Sequence, residues 1–249
     1  MREPGTPDFD APRGRAAGNP PRRVCAALLC AGLLFNAAAQ DAGTQPPDPP
    51  DHAPPETAAT DAAQFDEAAA VVDRLHETLI GVMQKSGEIG YRGRYGTLEP
   101  VITAGFDTPL IVKVILSRHW SELAPRQQAD FIELFRRLSV ATYASRFNGY
   151  DGEEFTEISR EALNRGRLLI KTELRRPEQK PVRLDYLMHR GDAGQWRIIS
   201  VIANGVNDLS LKRAEYAVVI RERGFDALIV DISNKIKEME SGVVEADAL

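Results

Sequence analysis

Residues 143–155 read YASRFNGYDGEEF, which sets three carboxylates, Asp151, Glu153 and Glu154, just after the aromatic residues Tyr143, Phe147 and Tyr150. Paired carboxyl groups serve as general acid and base when burial raises one pKa above the other. The spacing weighs against that here. Adjacent residues at a strand start project to opposite faces, so Glu153 and Glu154 form no ready-made dyad. The same letters are explained by Asn148-Gly149 ending a helix and Asp151-Gly152 turning into a strand, because glycine accepts positive φ and aspartate bonds its own turn.

The other chemistry-bearing residues are scattered. His52, His76, His119 and His189 stand far apart, and no H-E-x-x-H or similar ligand spacing occurs, so no metal site is expected. There is no G-x-S-x-G elbow and no other nucleophile signature, so no catalytic residue is assigned. YRGRYG at 91–96 interleaves arginine with tyrosine, as single-strand nucleic-acid sites do. Charge argues otherwise: residues 40–249 hold 26 basic and 33 acidic side chains, a net −7, whereas nucleic-acid binders carry a basic excess. The alternative is a solvated helix start that buries Tyr91 or Tyr95.

The N-terminal region reads as an export signal. Arg22-Arg23 precede the uncharged run VCAALLCAGLLF, and Ala37 with Ala39 supplies the small-x-small cleavage pattern. Twelve residues are too few for a spanning helix, which needs about 20. Residues 1–39 are therefore expected to be a cleavable signal peptide, with the mature protein exported. Both cysteines, Cys25 and Cys30, fall inside it, so the mature chain has no thiol for a disulfide, a metal or a covalent intermediate. A lipid-anchored product is the weaker alternative, since Leu29 rather than a small residue precedes Cys30. Residues 40–62, with six prolines between 41 and 60 and no aromatic residue, are expected to form a disordered tether. Residues 63–241 then make one domain, and 242–249 a flexible tail.

Within that domain the apolar period changes twice. Phe65, Ala68, Val71, Val72, Leu75, Leu79, Val82 and Met83 mark an amphipathic helix from Gln64 to Lys85. Short helices follow at Tyr95–Ala104 and Pro109–Ser117, with Pro100 and Pro109 at first-turn positions. Pro125 opens a long helix whose stripe holds Phe131, Leu134, Phe135, Leu138, Thr142 and Ser145, flanked by Val140, Tyr143 and Phe147. After Gly149 the period falls to two. FTEIS, GRLLIKTELRR, PVRLDYLMHR and QWRIISVIA are four strands of an antiparallel meander. Val182, Leu184, Tyr186 and Met188 share one face of the third; Arg183, Asp185 and His189 share the other. In the fourth, Trp196, Ile198 and Ile202 are expected on one face and Ile199, Val201 and Ala203 on the other, which makes it a central strand. Two helices close the chain on either side of Gly224. The class is α+β, with helices packed against one face of a four-stranded antiparallel sheet.

The apolar sheet face and the aromatic stripe after Pro125 either fill a core or enclose a cavity, and ligand cavities are lined by such side chains. Several stretches together resemble the toluene-tolerance family, the MlaC-type periplasmic phospholipid-transfer proteins. They are LHETLIGVM, YRGRYGTLEPVI, FDTPLI, ATYASRFNGYDGEEF and the run WRIISVIANGVNDLSLKRAEYAVVIRERGFDALIVDISNKI, in the family's order from residue 64 to 240. RFNGYDGEEF with LHETL and ERGFDALI is closest to the hopanoid-associated HpnM branch. The resemblance implies an MlaC-like, NTF2-like core around an apolar cavity, no catalysis and no cofactor beyond a bound lipid. It implies a monomeric shuttle that carries phospholipid or hopanoid between an inner-membrane transporter complex and an outer-membrane acceptor complex. By position, Phe135, Tyr143, Phe147, Leu168, Ile170, Leu184, Tyr186, Met188 and Ile198 would line the lipid cavity. Asn207 stands where members often have serine after Gly-Val, a change that removes a hydroxyl but keeps a helix cap.

Two readings from other classes remain beside it. One is an enzyme on a cone-shaped scaffold of the ketosteroid-isomerase type, with Asp185 and Tyr186 moving protons, although alternation sends those side chains to opposite faces. The other is an envelope interaction domain with a solid core.

Overall fold

Helix α1 (Pro55–Gln84) begins earlier than its apolar stripe. The sequence before Gln64 contains Ala58, Ala59, Ala62 and Ala63, and alanine extends a helix without needing a partner to pack on. The last residues of the expected 40–62 tether are thus helical. The computed structural model describes residues 55–242, with side chains from residue 62 onward. The expected signal peptide lies outside the described residues, as do 40–54 of the tether and 243–249 of the tail.

Helix α2 (Ser86–Gly105) is interrupted at Gly90, where φ is 60° and ψ −172°. The helix therefore starts again at Tyr91 and contains Pro100 in its interior rather than in its first turn. Proline has no N–H for the Gly96 carbonyl, a local cost that this helix carries. Its partner contacts are specific: buried Arg94 donates from Nε to the Ala144 carbonyl at 2.8 Å, tying α2 to the helix that follows α3 (Thr108–Leu116) and a 3₁₀ turn (Ser117–Glu122). That helix, α4, runs Pro125–Arg146, as its stripe predicts. Helices α5 (Asp208–Arg223) and α6 (Phe225–Ser241) meet at Gly224, whose φ of 84° favours glycine.

The sheet is an antiparallel meander in the order β1-β2-β3-β4-β5. Its strands are β1 (Glu154–Leu163), β2 (Arg167–Arg175), β3 (Val182–Arg190), β4 (Trp196–Ala203) and β5 (Val206–Asn207). The sheet has five strands rather than the expected four. The fifth is a two-residue hairpin arm after Asn204-Gly205, both at positive φ (49° and 84°), the geometry of a type I′ turn. Strand β4 is covered on both halves of its outer edge. Its C-terminal half pairs with β5, and Phe106 bridges Ile198 while the Asp107 N–H donates to the Ile198 carbonyl at 2.9 Å.

One expected face assignment is wrong. Leu187 pairs with Ser200 but Met188 pairs with Ile198, so Ile199 is an unpaired bulge residue. A bulge shifts the alternation by one. Val201, opposite Tyr186, and Ile198, opposite Met188, consequently share the inner face, and Ile202 belongs with Asp185 on the other. That inner face also carries Leu168, Ile170 and Thr172 of β2, all buried. Helix α1 packs on β1, β2 and β4, and α3 and α5 on β4. The core lies between this helical layer and the single sheet face.

Candidate functional site

Four segments converge on one apolar cavity of about 210 Å³. Helix α4 supplies Phe135, Leu138, Ser139, Thr142, Tyr143 and Arg146. The sheet contributes Leu184, Tyr186, Ile199, Ser200, Val201 and Ala203. The α2–α3 link and α3 bring Phe106 and Ile111, and the β5–α5 corner brings Val206, Asp208, Leu209, Leu211 and Lys212. Leu211 is 55% exposed, so the α5 side is the mouth.

The wall is less polar than its composition. Ser139 Oγ donates to the Phe135 carbonyl at 2.9 Å and Thr142 Oγ1 to that of Leu138 at 2.8 Å. Ser200 Oγ donates to Asn207 Oδ1 at 3.2 Å. These hydroxyls are already bonded, so a hydrocarbon facing them leaves no donor stranded. Tyr143 stacks on Phe147 with centroids 5.8 Å apart and an interplanar angle of 9°, and meets Phe106 edge-on at 5.9 Å. Burial pushes the Tyr143 phenol up, Asp208 adds to the shift and Arg146 opposes it. Burial also holds the Tyr186 phenol well above the usual tyrosine range. Both are neutral walls at any physiological pH.

Of the nine side chains expected to line a cavity, Phe135, Tyr143, Phe147, Leu184 and Tyr186 do so. Leu168, Ile170, Met188 and Ile198 do not. They are 0–6% exposed in the solid part of the core, on β2, β3 and β4, and α1 packs on β2 and β4. The cavity residues beyond those expected include Leu138, Ser139, Thr142 and Arg146, which continue the three- and four-residue spacing from Phe135 to Tyr143. Phe106, Val201 and Leu211 come from a linker, a strand past the bulge and a helix start, where no periodic signal marks them.

The remaining chemistry-bearing groups sit elsewhere. Glu153 is buried but accepts the Asp151 N–H at 2.6 Å, closing its own turn. Asp185 lies on the face opposite Tyr186 and pairs with Arg183 Nε at 3.0 Å, so the isomerase-type pairing of Asp185 with Tyr186 does not form. His119 Nδ1 meets Glu122 at 2.9 Å, and His189 Nε2 meets Asp107 Oδ2 at 2.7 Å. His76, buried on α1, faces Tyr186. A more open cleft of about 530 Å³ beside it is lined by Asp73, Glu77, Glu153, Glu154 and Glu157, a carboxylate wall that a hydrocarbon would have to desolvate.

A solved structure, the phospholipid-binding protein from Ralstonia solanacearum in complex with a phospholipid, has a similar fold, with a TM-score of 0.61. The two share 18% identity over 71% of this chain and 98% of that one. The family model described as MlaC protein matches residues 73–234, which span α1 to α6 and every residue lining the cavity. The chain belongs to the MlaC family.

Proposed function

We propose that this protein is a periplasmic lipid-binding shuttle, exported by the signal in residues 1–39, that carries phospholipid or hopanoid between the inner and outer membranes. It is the soluble component of a lipid transport system, loaded and emptied by membrane complexes on either side. The observation that carries this reading is the α4–sheet cavity, with its apolar walls, bonded hydroxyls and charged residues confined to Arg146, Asp208 and Lys212. Family membership and the phospholipid held by the Ralstonia solanacearum protein point the same way.

Physically the role is coherent. Each methylene moved out of water is worth about 0.8 kcal/mol, so a two-chain lipid crosses an aqueous gap only when its tails are enclosed. The present cavity is smaller than the roughly 300–1,000 Å³ of typical ligand sites. It holds the equivalent of about seven waters at roughly 30 Å³ each, so loading a lipid requires the cavity to widen. Closeness to the hopanoid-associated branch, carried by RFNGYDGEEF, makes a fused-ring terpenoid one of the two candidate cargos. Native mass spectrometry of the mature protein purified from a periplasmic extract tests the reading. A copurified lipid is expected; a bare chain that also takes up no lipid from vesicles would overturn it.

A further inference from the structure

The two edges of the sheet are finished differently. The outer edge of β4 is covered by β5 and by the link through Phe106 and Asp107, whereas β1, at the other end of the strand order, pairs only with β2 among the described residues. Proline, lysine and short length are what usually blunt such an edge, and β1, ten residues long, has none of them. Its one irregularity falls between Glu157 and Ser159, so residues 154–157 pair regularly with 172–175. A regular free edge presents unpaired N–H and C=O groups to any strand laid beside it.

The start of this edge is also one wall of the carboxylate-lined cleft. Glu154, Phe155 and Glu157 of β1 line it with Glu153 and, from α1, Asp73 and Glu77, and no lysine or arginine does so. Glu157 is paired with Arg160 at 2.7 Å. The other four carboxylates have no basic partner among the described residues, and Glu153 accepts only the Asp151 N–H. Burial raises the Asp73 carboxyl first, Glu157 raises it further, Arg160 opposes and Glu77 adds, as expected where like charges crowd together. Phe155 stacks on His76 of α1, so that side of β1 faces the cleft. Alternate side chains of a strand added beside β1 would project to the same side.

The geometry points to β1 as a docking edge, where an extended basic segment of a partner protein adds as a further strand beside residues 154–157 and seats alternate lysine or arginine side chains in the cleft. Charge complementarity selects this occupant. β1 itself carries three glutamates against one arginine, so a second copy of the chain would bring like charge. Residues 40–54 and 243–249 contain acids but no lysine or arginine, so neither end of the mature chain fits. The cleft shares no lining residue with the α4–sheet cavity. A partner held at β1 therefore leaves the α5 mouth open, and the inference does not depend on what the cavity holds.

The experiment titrates the full mature protein with a fluorescent peptide of alternating lysine and valine, about eight residues long, a little over the usual strand length. Two control peptides replace lysine by glutamate or methylate alternate backbone nitrogens, which removes the pairing donors and keeps the charge. Anisotropy is expected to show the lysine peptide bound about tenfold more tightly than either control at low salt, the preference over the glutamate peptide shrinking as salt screens the cleft. Glu77→Gln/Glu154→Gln should weaken the lysine peptide about tenfold, since it removes two of the cleft charges. Amide exchange of β1 should slow when the peptide is bound, and that of β4 should not. Equal binding of the methylated peptide would show plain charge attraction and overturn strand addition; binding that survives the double variant would overturn the role of the cleft. The peptide controls need no variant, so a double variant that fails to fold leaves the first comparison decisive. No binding of any peptide overturns the docking edge and leaves lipid uptake, measured separately, standing. Protection of β1 amides without peptide that vanishes on dilution, or on removal of residues 40–54, would assign the edge to a second copy or to the chain's own segment and overturn the proposal as well.

Discussion

His76 Nε2 and Tyr186 Oη lie 3.0 Å apart, joining the middle of α1 to the centre of β3. The imidazole is stacked on Phe155 at 3.8 Å and is 8% exposed. Burial pushes its pKa down to about 4, so the folded protein holds it neutral. An unfolded histidine protonates near 6.5. The folded value is the lower one, so this contribution is fully present above about pH 6.5 and is lost as pH falls towards 4. The loss is on the order of 3 kcal/mol. In urea titrations at a series of pH values, His76→Phe should be less stable at pH 7.5 by about 1–3 kcal/mol, because it strands the Tyr186 hydroxyl. Its stability should then fall less steeply between pH 6.5 and 4 than that of wild type. Asp73, whose carboxyl is raised first by burial and then by Glu157, titrates in both proteins and cancels in the difference. Parallel curves would refute the assignment.

The nine side chains expected to line a cavity divide into two groups with opposite signatures. Ile198 is 0% exposed in the solid core, and Ile198→Ala should cost about 2–5 kcal/mol. Phe147 lines the cavity, is partly exposed and caps the end of α4. Phe147→Ala should cost no more than about 1 kcal/mol yet reduce lipid retention several-fold. Denaturation midpoints and copurified lipid, measured on both variants, separate the two roles. Equal loss of lipid in both, scaled only by stability, would mean that the division is wrong.

How far each feature could be read from residue types follows from how local its cause is. Helix α4 was legible because one stripe, from Phe131 to Tyr143, repeats the helical period without interruption. The bulge at Ile199 was not, because in IISVI apolar residues stand at both alternating positions on either side of Ser200, so alternation carries no phase. The small strand β5 had a local signal, Asn204-Gly205, the preferred pair for a two-residue hairpin, but only Val206 and Asn207 follow it, and Asn207 already caps α5. For the cavity, the helical wall could be extrapolated and the strand wall could not. Whether Ile170 or Leu184 meets a void depends on where α1 lies across β2 and β4, a tertiary fact. Arg146 and Lys212 lie far apart in the sequence, and only the fold brings both to the cavity wall.

Asp107 caps α3 and ties it to the sheet by two further bonds. Its Oδ1 accepts the Leu110 N–H at 3.0 Å, its Oδ2 meets His189 at 2.7 Å, and its own N–H donates to Ile198 at 2.9 Å. Asp107→Ala removes both side-chain bonds and should cost about 1–2 kcal/mol for the lost cap alone. Asp107→Asn keeps an acceptor for Leu110 and should cost less. Because Ile111 lines the cavity, the effect should be local. Amides of Ile111–Leu116 should exchange on the order of tenfold faster in Asp107→Ala, as 1.4 kcal/mol corresponds to tenfold. Unchanged exchange in α3 would show that packing, not the cap, holds this helix.

Ser139 offers the sharpest test of whether the space beside α4 matters. Its hydroxyl bonds only the Phe135 carbonyl within its own helix, so its loss strands no partner in the sheet, and its side chain borders the cavity. Ser139→Phe adds a ring to a void of about 210 Å³ rather than to close-packed core. The usual 1–3 kcal/mol cost of overpacking should therefore be largely offset by newly buried apolar area, leaving the melting temperature within a few degrees of wild type. Uptake of a pyrene-labelled phosphatidylglycerol should fall at least tenfold, since the ring occupies the volume from which the cavity must expand. A variant that is unfolded at room temperature would show the void to be smaller in solution than here. Full uptake by a folded variant would place the lipid elsewhere, with the carboxylate-lined cleft beside His76 the next place to look.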